Sequence, residues 1–261
     1  MFYNGLTSEQ HNEARRKVYN RRLANNPNDS YALYMLGLLE DNKAKSEQLY
    51  IRAAQLGSIE AMSGIGSKYS EYSNSEPFCN GFGHDEEKSR YWYKQAADTG
   101  DPKCLVDYAI FCLGGVEQRD EKISYLKRAA ESGYWKGMYE LAQCYNSPII
   151  GERTKDKMEY AKYWYLSATE LCNNPSDTYT FSLLASSLGH IYGDKFLSKQ
   201  VPPNTDFEDA CEAVKWFVYA YVFDYPCKDD ITRILDYCGI NFTDEDFQAL
   251  RDQAVRKFYP Q

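Results

Sequence analysis

An all-α chain built from repeated helix pairs is what this sequence predicts, and three features predict it. One segment frame recurs five times. It reads small-x-x-aromatic/Leu-aromatic/Leu-x-x-Ala-Ala-x-x-Gly, as in "SEQLYIRAAQLG" (46–57), "SRYWYKQAADTG" (89–100) and "KISYLKRAAESG" (122–133), with looser copies in "AKYWYLSATELC" (161–172) and "AVKWFVYAYVFD" (213–224). The first small residue of the pair falls at Ala53, Ala96, Ala129, Ala168 and Ala220, giving spacings of 43, 33, 39 and 52 residues, the range of helical-hairpin repeats with variable loops. A second frame precedes each copy, with a small residue followed at offsets of 4, 5 and 8 by Leu/Ile, Gly/Ala and Tyr. Those offsets share one helix face.

The elements follow in order. Thr7-Ser8-Glu9-Gln10 has the spacing of a capping box and opens a polar, basic helix expected to run to about Asn25. Helix A of each repeat carries Ala32/Leu36-Gly37, Ala61/Ile65-Gly66/Tyr69, Cys104/Tyr108-Ala109/Cys112, Gly137/Leu141-Ala142/Tyr145 and Leu184/Leu188-Gly189/Tyr192. Helix B is the Ala-Ala segment. Gly57, Gly100 and Gly133 follow the Ala pair at a fixed distance, where a helix ending in a left-handed residue wants glycine. The small residues let helix backbones approach, and Tyr, Trp and Leu fill the remaining space. Three Gly-, Pro-, Asn- and Ser-rich insertions, 73–87, 146–156 and 193–206, separate helix A from helix B in the second, fourth and fifth pairs and read as loops. After the last pair, "CKDDITRILDYC" reads as one more helix. "FTDEDFQALRDQAVRKFY" starts another at Thr243, ending near Tyr259. Solenoids need such polar ends to cover the last core face.

The combined pattern, in "ALYMLG…SEQLYIRAAQLGS", "AMSGIGSKY…SRYWYKQAADTGD" and "GMYELAQCY…AKYWYLSATEL", resembles the Sel1-like repeat family, relatives of the tetratricopeptide repeats. The third pair departs from it at Tyr108 and Cys112. The fifth lacks the terminal Gly and carries Tyr221, and Glu40 stands where the first pair should have Tyr. The resemblance implies an α-α superhelix of about five helix-pair repeats. The expected organisation is an N-terminal cap over 1–27, repeats over about 28–58, 59–101, 102–134, 135–174 and 175–225, and C-terminal capping helices over 226–261.

Composition narrows function. The chain has 261 residues, 43% hydrophobic, with net charge −8 and 24 Tyr. That is a globular composition able to bury a core. Its acidity argues against a phosphate-backbone partner and suits a basic protein partner. No apolar run approaches membrane length and no export signal is evident, so a cytoplasmic protein with reduced, mostly buried thiols is expected from eight irregularly spaced Cys without a C-x-x-C pair. The histidines are His11, His84 and His190, and no metalloprotease, P-loop or nucleophile-elbow motif is present. Cys79 with His84 in the 73–87 loop is the one constellation from which an enzyme or metal-binding protein could be argued. Two ligands fall short of the four a structural zinc site takes. The basic cluster Arg15-Arg16-Lys17 with Arg21-Arg22 sits on one terminal helix of an acidic chain and reads as a cap face.

The expected function is therefore a non-catalytic interaction scaffold or adaptor, without cofactor or metal, that binds another protein in a concave groove or through the three loops. A sharper version is a bacterial immunity or regulatory protein that neutralises a basic toxin or effector domain. Carrying the contact positions of the related tetratricopeptide pattern onto helix A gives Tyr31, Tyr34, Glu60, Ser63, Ser67, Lys103, Val106, Ile110, Lys136, Tyr139, Gln143, Ser186 and His190. Tyr31, Tyr34 and Tyr139 are the expected anchors. The triplet Tyr-Trp-Tyr at 91–93 and 163–165 occupies equivalent helix B slots, where other repeats carry Leu49-Tyr50, Tyr125-Leu126 and Trp216-Phe217. The last two residues of each triplet are thus expected to pack between helices, and Tyr91 and Tyr163 to be exposed.

Overall fold

A computed structural model describes residues 7–74, 81–147, 154–171, 178–200, 207–222, 226–240 and 243–258. Among these, every regular element is helical. The chain divides into two compact units, Met1–Tyr125 and Leu126–Gln261.

In the first unit, α1 (Ser8–Asn25) opens with the predicted capping box. The Thr7 hydroxyl accepts from the Gln10 amide at 3.2 Å, and the Thr7 amide donates to the Gln10 side chain at 2.8 Å. No residue of α1 is buried, so specific contacts hold it to α2 (Ser30–Leu39). Arg16 donates to the Leu39 carbonyl and pairs with Asp41 at 3.0 Å. Arg22 pairs with Asp29 at 2.7 Å and lies over the Tyr31 ring, and Tyr19 meets Tyr31 edge to face. Part of the basic cluster thus ties down the cap.

Then come α3 (Lys43–Gln55), α4 (Ile59–Tyr69), the short α5 (Glu71–Asn74), α6 (Glu86–Asp98) and α7 (Pro102–Cys112). A 3-10 turn (Val116–Gln118) leads into α8 (Arg119–Glu131). Asp29, Asn42, Ser58, Asp85 and Asp101 each accept an amide hydrogen at the start of a helix. Helix α3 ends as the Ala-Ala-x-x-Gly frame implies. Gly57 takes φ 87°, its amide donates to Ala54 at 2.9 Å, and the Ser58 amide donates to Ala53 at 3.0 Å. The same closure recurs at Gly133 with Ala129 and Ala130.

The core of this unit shows why glycine sits in helix A. Tyr50, 1% exposed, lies edgewise between Gly37 of α2 and Gly64 of α4. A β-carbon added to either would stand 2.7 or 2.6 Å from a ring carbon. Gly66 faces the Tyr93 ring in the same way, at 2.8 Å. Two buried serines of helix B complete the approach: Ser46 donates to the Gly37 carbonyl at 2.7 Å, Ser89 to that of Gly66 at 2.8 Å. Tyr108 and Cys112, the departures in the third pair, are buried. Tyr108 packs edge-on against Tyr125.

Two insertions differ from the plain loops expected. Glu71–Asn74 is helical, and Phe82 is not a surface residue: its ring meets Tyr50 and Tyr69 edge-on, both at 5.7 Å. Asn74 secures the turn by donating to the carbonyls of Lys68 and Ser70 and accepting from the Gly83 amide. In the second unit, the stretch expected to be a loop from 193 is helical through Leu197, because Phe196 is 1% exposed and Gly193 abuts Ile234 and Ala213.

The second unit holds α9 (Trp135–Asn146), α10 (Lys155–Leu171), α11 (Thr178–Leu197), α12 (Phe207–Val222), α13 (Lys228–Tyr237) and α14 (Asp244–Phe258). Helices α9 to α12 pack in sequence, and α13 and α14 cover α12. Phe217, fully buried, repeats the helix A–helix B contact: a β-carbon at Gly189 would stand 2.6 Å from its ring. Asp246 and Thr243 cap α14 reciprocally. Tyr93 and Tyr165 are buried and Trp92 and Trp164 half-buried, while Tyr91 and Tyr163 are 56% and 59% exposed, so only the third residue of each triplet is fully in the core. Among the described residues no helix is long and apolar enough to cross a membrane.

Candidate partner-binding clefts

The helix A faces of each unit line a cleft, and the two differ in chemistry. In the first unit a cleft of about 890 Å³ opens between α4, α5 and α7. From α4 come Glu60, Ser63 and Ser67, from α2 Tyr34, from α5 Glu71 and Tyr72, and from α7 Lys103, Asp107 and Phe111. Asp101, the N-cap of α7, also borders it, so four carboxylates face one ammonium. Asp107 lies at the floor, 9% exposed, and accepts a long hydrogen bond from Ser63 at 3.4 Å. Phe111, 60% exposed, stacks on the buried Tyr93 ring with centroids 5.4 Å apart, and Tyr72 is 65% exposed at the rim. Burial pushes the Tyr93 hydroxyl far above the ordinary phenol range. Tyr34 rises too, through burial first and then the nearby Glu60 carboxylate. Both therefore stay neutral. The cleft combines negative charge with aromatic faces, the surroundings that hold a lysine or arginine side chain.

In the second unit a smaller cleft of about 520 Å³ lies on α9, α10 and α11. Gln143 donates to the Tyr139 hydroxyl at 2.7 Å. His190 packs edge-on against Phe217, and its Nδ1 stands 3.5 Å from Asp194 one turn on. Hydrogen bonding to Asp194 raises the His190 pKa, against a smaller opposing effect of burial. Ser186, 2% exposed, and Tyr165, fully buried, form the inner wall.

No protein-family model matches the chain, and no curated protein does. Solved structures do. One is the crystal structure of c5321, a protective antigen present in uropathogenic Escherichia coli strains and displaying an SLR fold. It matches with a TM-score of 0.63 at 19% identity, over 94% of this chain and 49% of that one. Another is a Sel1 repeat protein from Oxalobacter formigenes, with a TM-score of 0.61 at 17% identity, over 95% of this chain and 96% of that one. The chain has the Sel1-repeat fold. It spans about half the length of the E. coli antigen structure.

Within this Sel1-repeat fold, the helix A positions transferred from the tetratricopeptide pattern fall in three groups. Tyr34, Glu60, Ser63, Ser67 and Lys103 line the first cleft, and Tyr139, Gln143, Ser186 and His190 the second. Tyr31, Ile110 and Lys136 line neither; Tyr31 instead packs under α1. Val106 is a correction. It is completely buried, because α7 presents Lys103, Asp107 and Phe111 to the cleft, one residue on from the expected 106 and 110. One residue of an α-helix turns the face by about 100°. The departures at Tyr108 and Cys112 sit on that same helix, and they are the signal from which Asp107 and Phe111 could have been found. Glu71 and Tyr72 fall between the end of the helix A frame at Tyr69 and the 73–87 insertion, where neither reading assigns a role. Of the Cys79–His84 pair, His84 is exposed and Cys79 lies outside the described residues. Among the described residues no three His, Cys, Asp or Glu side chains gather as a metal would need.

Proposed function

We propose that this chain is a non-catalytic interaction protein that holds a basic segment of a partner protein in the first-unit cleft. One observation carries the reading: helix A residues of successive repeats converge on a cleft where four carboxylates, one nearly buried, lie among exposed aromatic rings. A lysine or arginine entering there gains ion pairing to Glu60 or Asp107 in surroundings partly shielded from water, and an aromatic face from Tyr72 or Phe111. The net charge of −8 steers such a partner toward the chain. Within this reading the partner is a basic toxin or effector domain, and the chain acts in the cytoplasm as an immunity or regulatory protein that neutralises it.

The test is fluorescence anisotropy with labelled peptides of matched length, rich in lysine and arginine, in glutamine, or in glutamate. Basic peptides bind, their affinity falls as salt rises, and Glu60→Gln with Asp107→Asn weakens them by on the order of tenfold, which corresponds to ~1.4 kcal/mol. Binding that ignores peptide charge, or that survives the double substitution, sinks the proposal.

A further inference from the structure

The hairpin of α12 and α13 brings two cysteines to the same level. These helices pack against each other, and two contacts set their register. Near the connection, the Cys227 thiol donates to the Phe217 carbonyl at 3.0 Å. Farther along, Ala213 and Ile234 both flank Gly193, where a β-carbon would stand 3.2 and 2.9 Å from them. Residue numbers fall along α12 as they rise along α13, so the two helices run antiparallel. One further step in each direction reaches Cys211 in the first turns of α12 and Cys238 at the end of α13. Cys238 extends the buried stripe of Ile231 and Leu235 and packs against the core cluster that contains Ala210 and Val214. Cys211 follows Ala210 directly and precedes Val214 by three residues, on the edge of that same contact. Burial raises the Cys238 pKa first, and Cys211 raises it further as a neighbouring negative charge, so the two thiols lie within electrostatic reach.

These two thiols are also the ones a reagent can reach. Cys104, Cys112, Cys144 and Cys227 are buried, whereas Cys211 is exposed and Cys238 half-buried. Cys238 caps α13 and is followed by Gly239 at φ 69°, so the backbone leaves the helix there and can adjust to the narrow geometry of a disulfide. We infer that Cys211 and Cys238 join in a disulfide when the chain meets a disulfide oxidant, stapling α13 onto α12. With oxidised glutathione, the Cys211 thiolate attacks one glutathione sulfur and expels a glutathione thiolate. The Cys238 thiolate then attacks the Cys211 sulfur of the mixed disulfide and expels the second glutathione. Two protein thiols are oxidised, the glutathione disulfide is reduced to two thiols, and two protons pass from the former to the latter. Because α13 and α14 cover α12, the bond secures the covering end of the second unit. It uses no cleft residue, so it stands or falls apart from the basic-segment reading.

The experiment treats the full chain with oxidised glutathione at pH 8, blocks remaining thiols with iodoacetamide, and maps the peptides by mass without reduction. The expected major product is a monomer carrying a Cys211–Cys238 link. Its melting temperature lies above that of the reduced chain by roughly 5–10 °C, and dithiothreitol reverses the shift. Cys211→Ser and Cys238→Ser each lose both the link and the shift. The mapping of the parent chain decides the matter even where a variant folds poorly. The inference is overturned if Cys211 remains as a glutathione adduct, if either cysteine links instead to another cysteine or to a second chain, or if the linked monomer melts no higher than the reduced one.

Discussion

Substituting the two glycines that clasp Tyr50 gives a result whose sign is diagnostic. Gly37 and Gly64 lie inside α2 and α4, where alanine is intrinsically favoured over glycine by about 1 kcal/mol. Helix propensity alone therefore predicts that Gly37→Ala and Gly64→Ala each stabilise the protein. The geometry predicts the opposite. The new methyl at 37 would lie 2.7 Å from Cδ2 of Tyr50, and the one at 64 would lie 2.6 Å from Cε1, far inside ordinary carbon contact. Tyr50 is 1% exposed and held on both edges, so it cannot step aside. Overpacking of this kind costs ~1–3 kcal/mol, which leaves each single variant destabilised by roughly 0–2 kcal/mol after the propensity gain. At this chain length that lowers the melting temperature by up to about 8 °C. Tyr50→Leu alone opens a cavity, whereas in the Gly37→Ala/Gly64→Ala background the methyls occupy part of that space, so the combined variant is more stable than additivity allows. Thermal unfolding followed by circular dichroism reads all of these. If both single variants melt higher than the parent, and Tyr50→Leu is strictly additive with them, the clasp argument is wrong.

Three further outcomes follow. Gly100 has φ 86°, and a β-carbon there would meet nothing within 4 Å, so Gly100→Ala costs only backbone strain, ~1–2 kcal/mol, and Gly100→Asn costs less; urea unfolding orders the two. The His190 pKa is raised in the folded state, so its contribution to stability is complete below the ordinary imidazole range and is lost as pH rises through the folded value. Melting temperatures measured from pH 5.5 to 8.5 fall more steeply for the parent than for His190→Gln, and parallel curves would dismiss the Asp194 interaction. Burial pushes the thiols of Cys104, Cys112 and Cys227 up to about 12, while Cys211 is exposed, so iodoacetamide at pH 8 followed by peptide mass mapping labels Cys211 before those three.

The helix pairs were legible because the residues that seat one helix on another are of restricted kinds. Where Tyr50, Tyr93 or Phe217 enters, the facing helix must present glycine, and where α3 or α6 stops, a left-handed glycine must follow. These constraints recur from copy to copy, so a frame emerges from one sequence. What escaped has no such redundancy. Phe82 sits in a stretch rich in Gly and Asn, and only its docking against Tyr50 and Tyr69 marks it as core. The Gly-Asp-Lys at 193–195 has turn composition, yet the burial of Phe196 keeps it helical. The register of α7 was misjudged by one residue, since positions taken from a related repeat assume the same packing, and Tyr108 and Cys112 replace the usual residues there.

The same logic explains why the clefts are chemically unlike although one helix frame builds both. Packing fixes the small and aromatic slots and leaves the intervening helix A positions free of core duty. On α4 and α7 those positions carry Glu60, Ser67 and Asp107; on α9 and α11 they carry Gln143, Asn146 and His190. In the proposed function, a change at Glu60, Ser67, Gln143 or Asn146, none of them buried, alters what the cleft recognises with little effect on stability, whereas Asp107 and His190 also carry buried or stabilising contacts. A change at Gly66, Tyr93, Gly189 or Phe217 does the reverse. In the proposed function, stability and recognition are carried largely by different residues of the same helix, which lets a repeat protein acquire a new partner without acquiring a new fold.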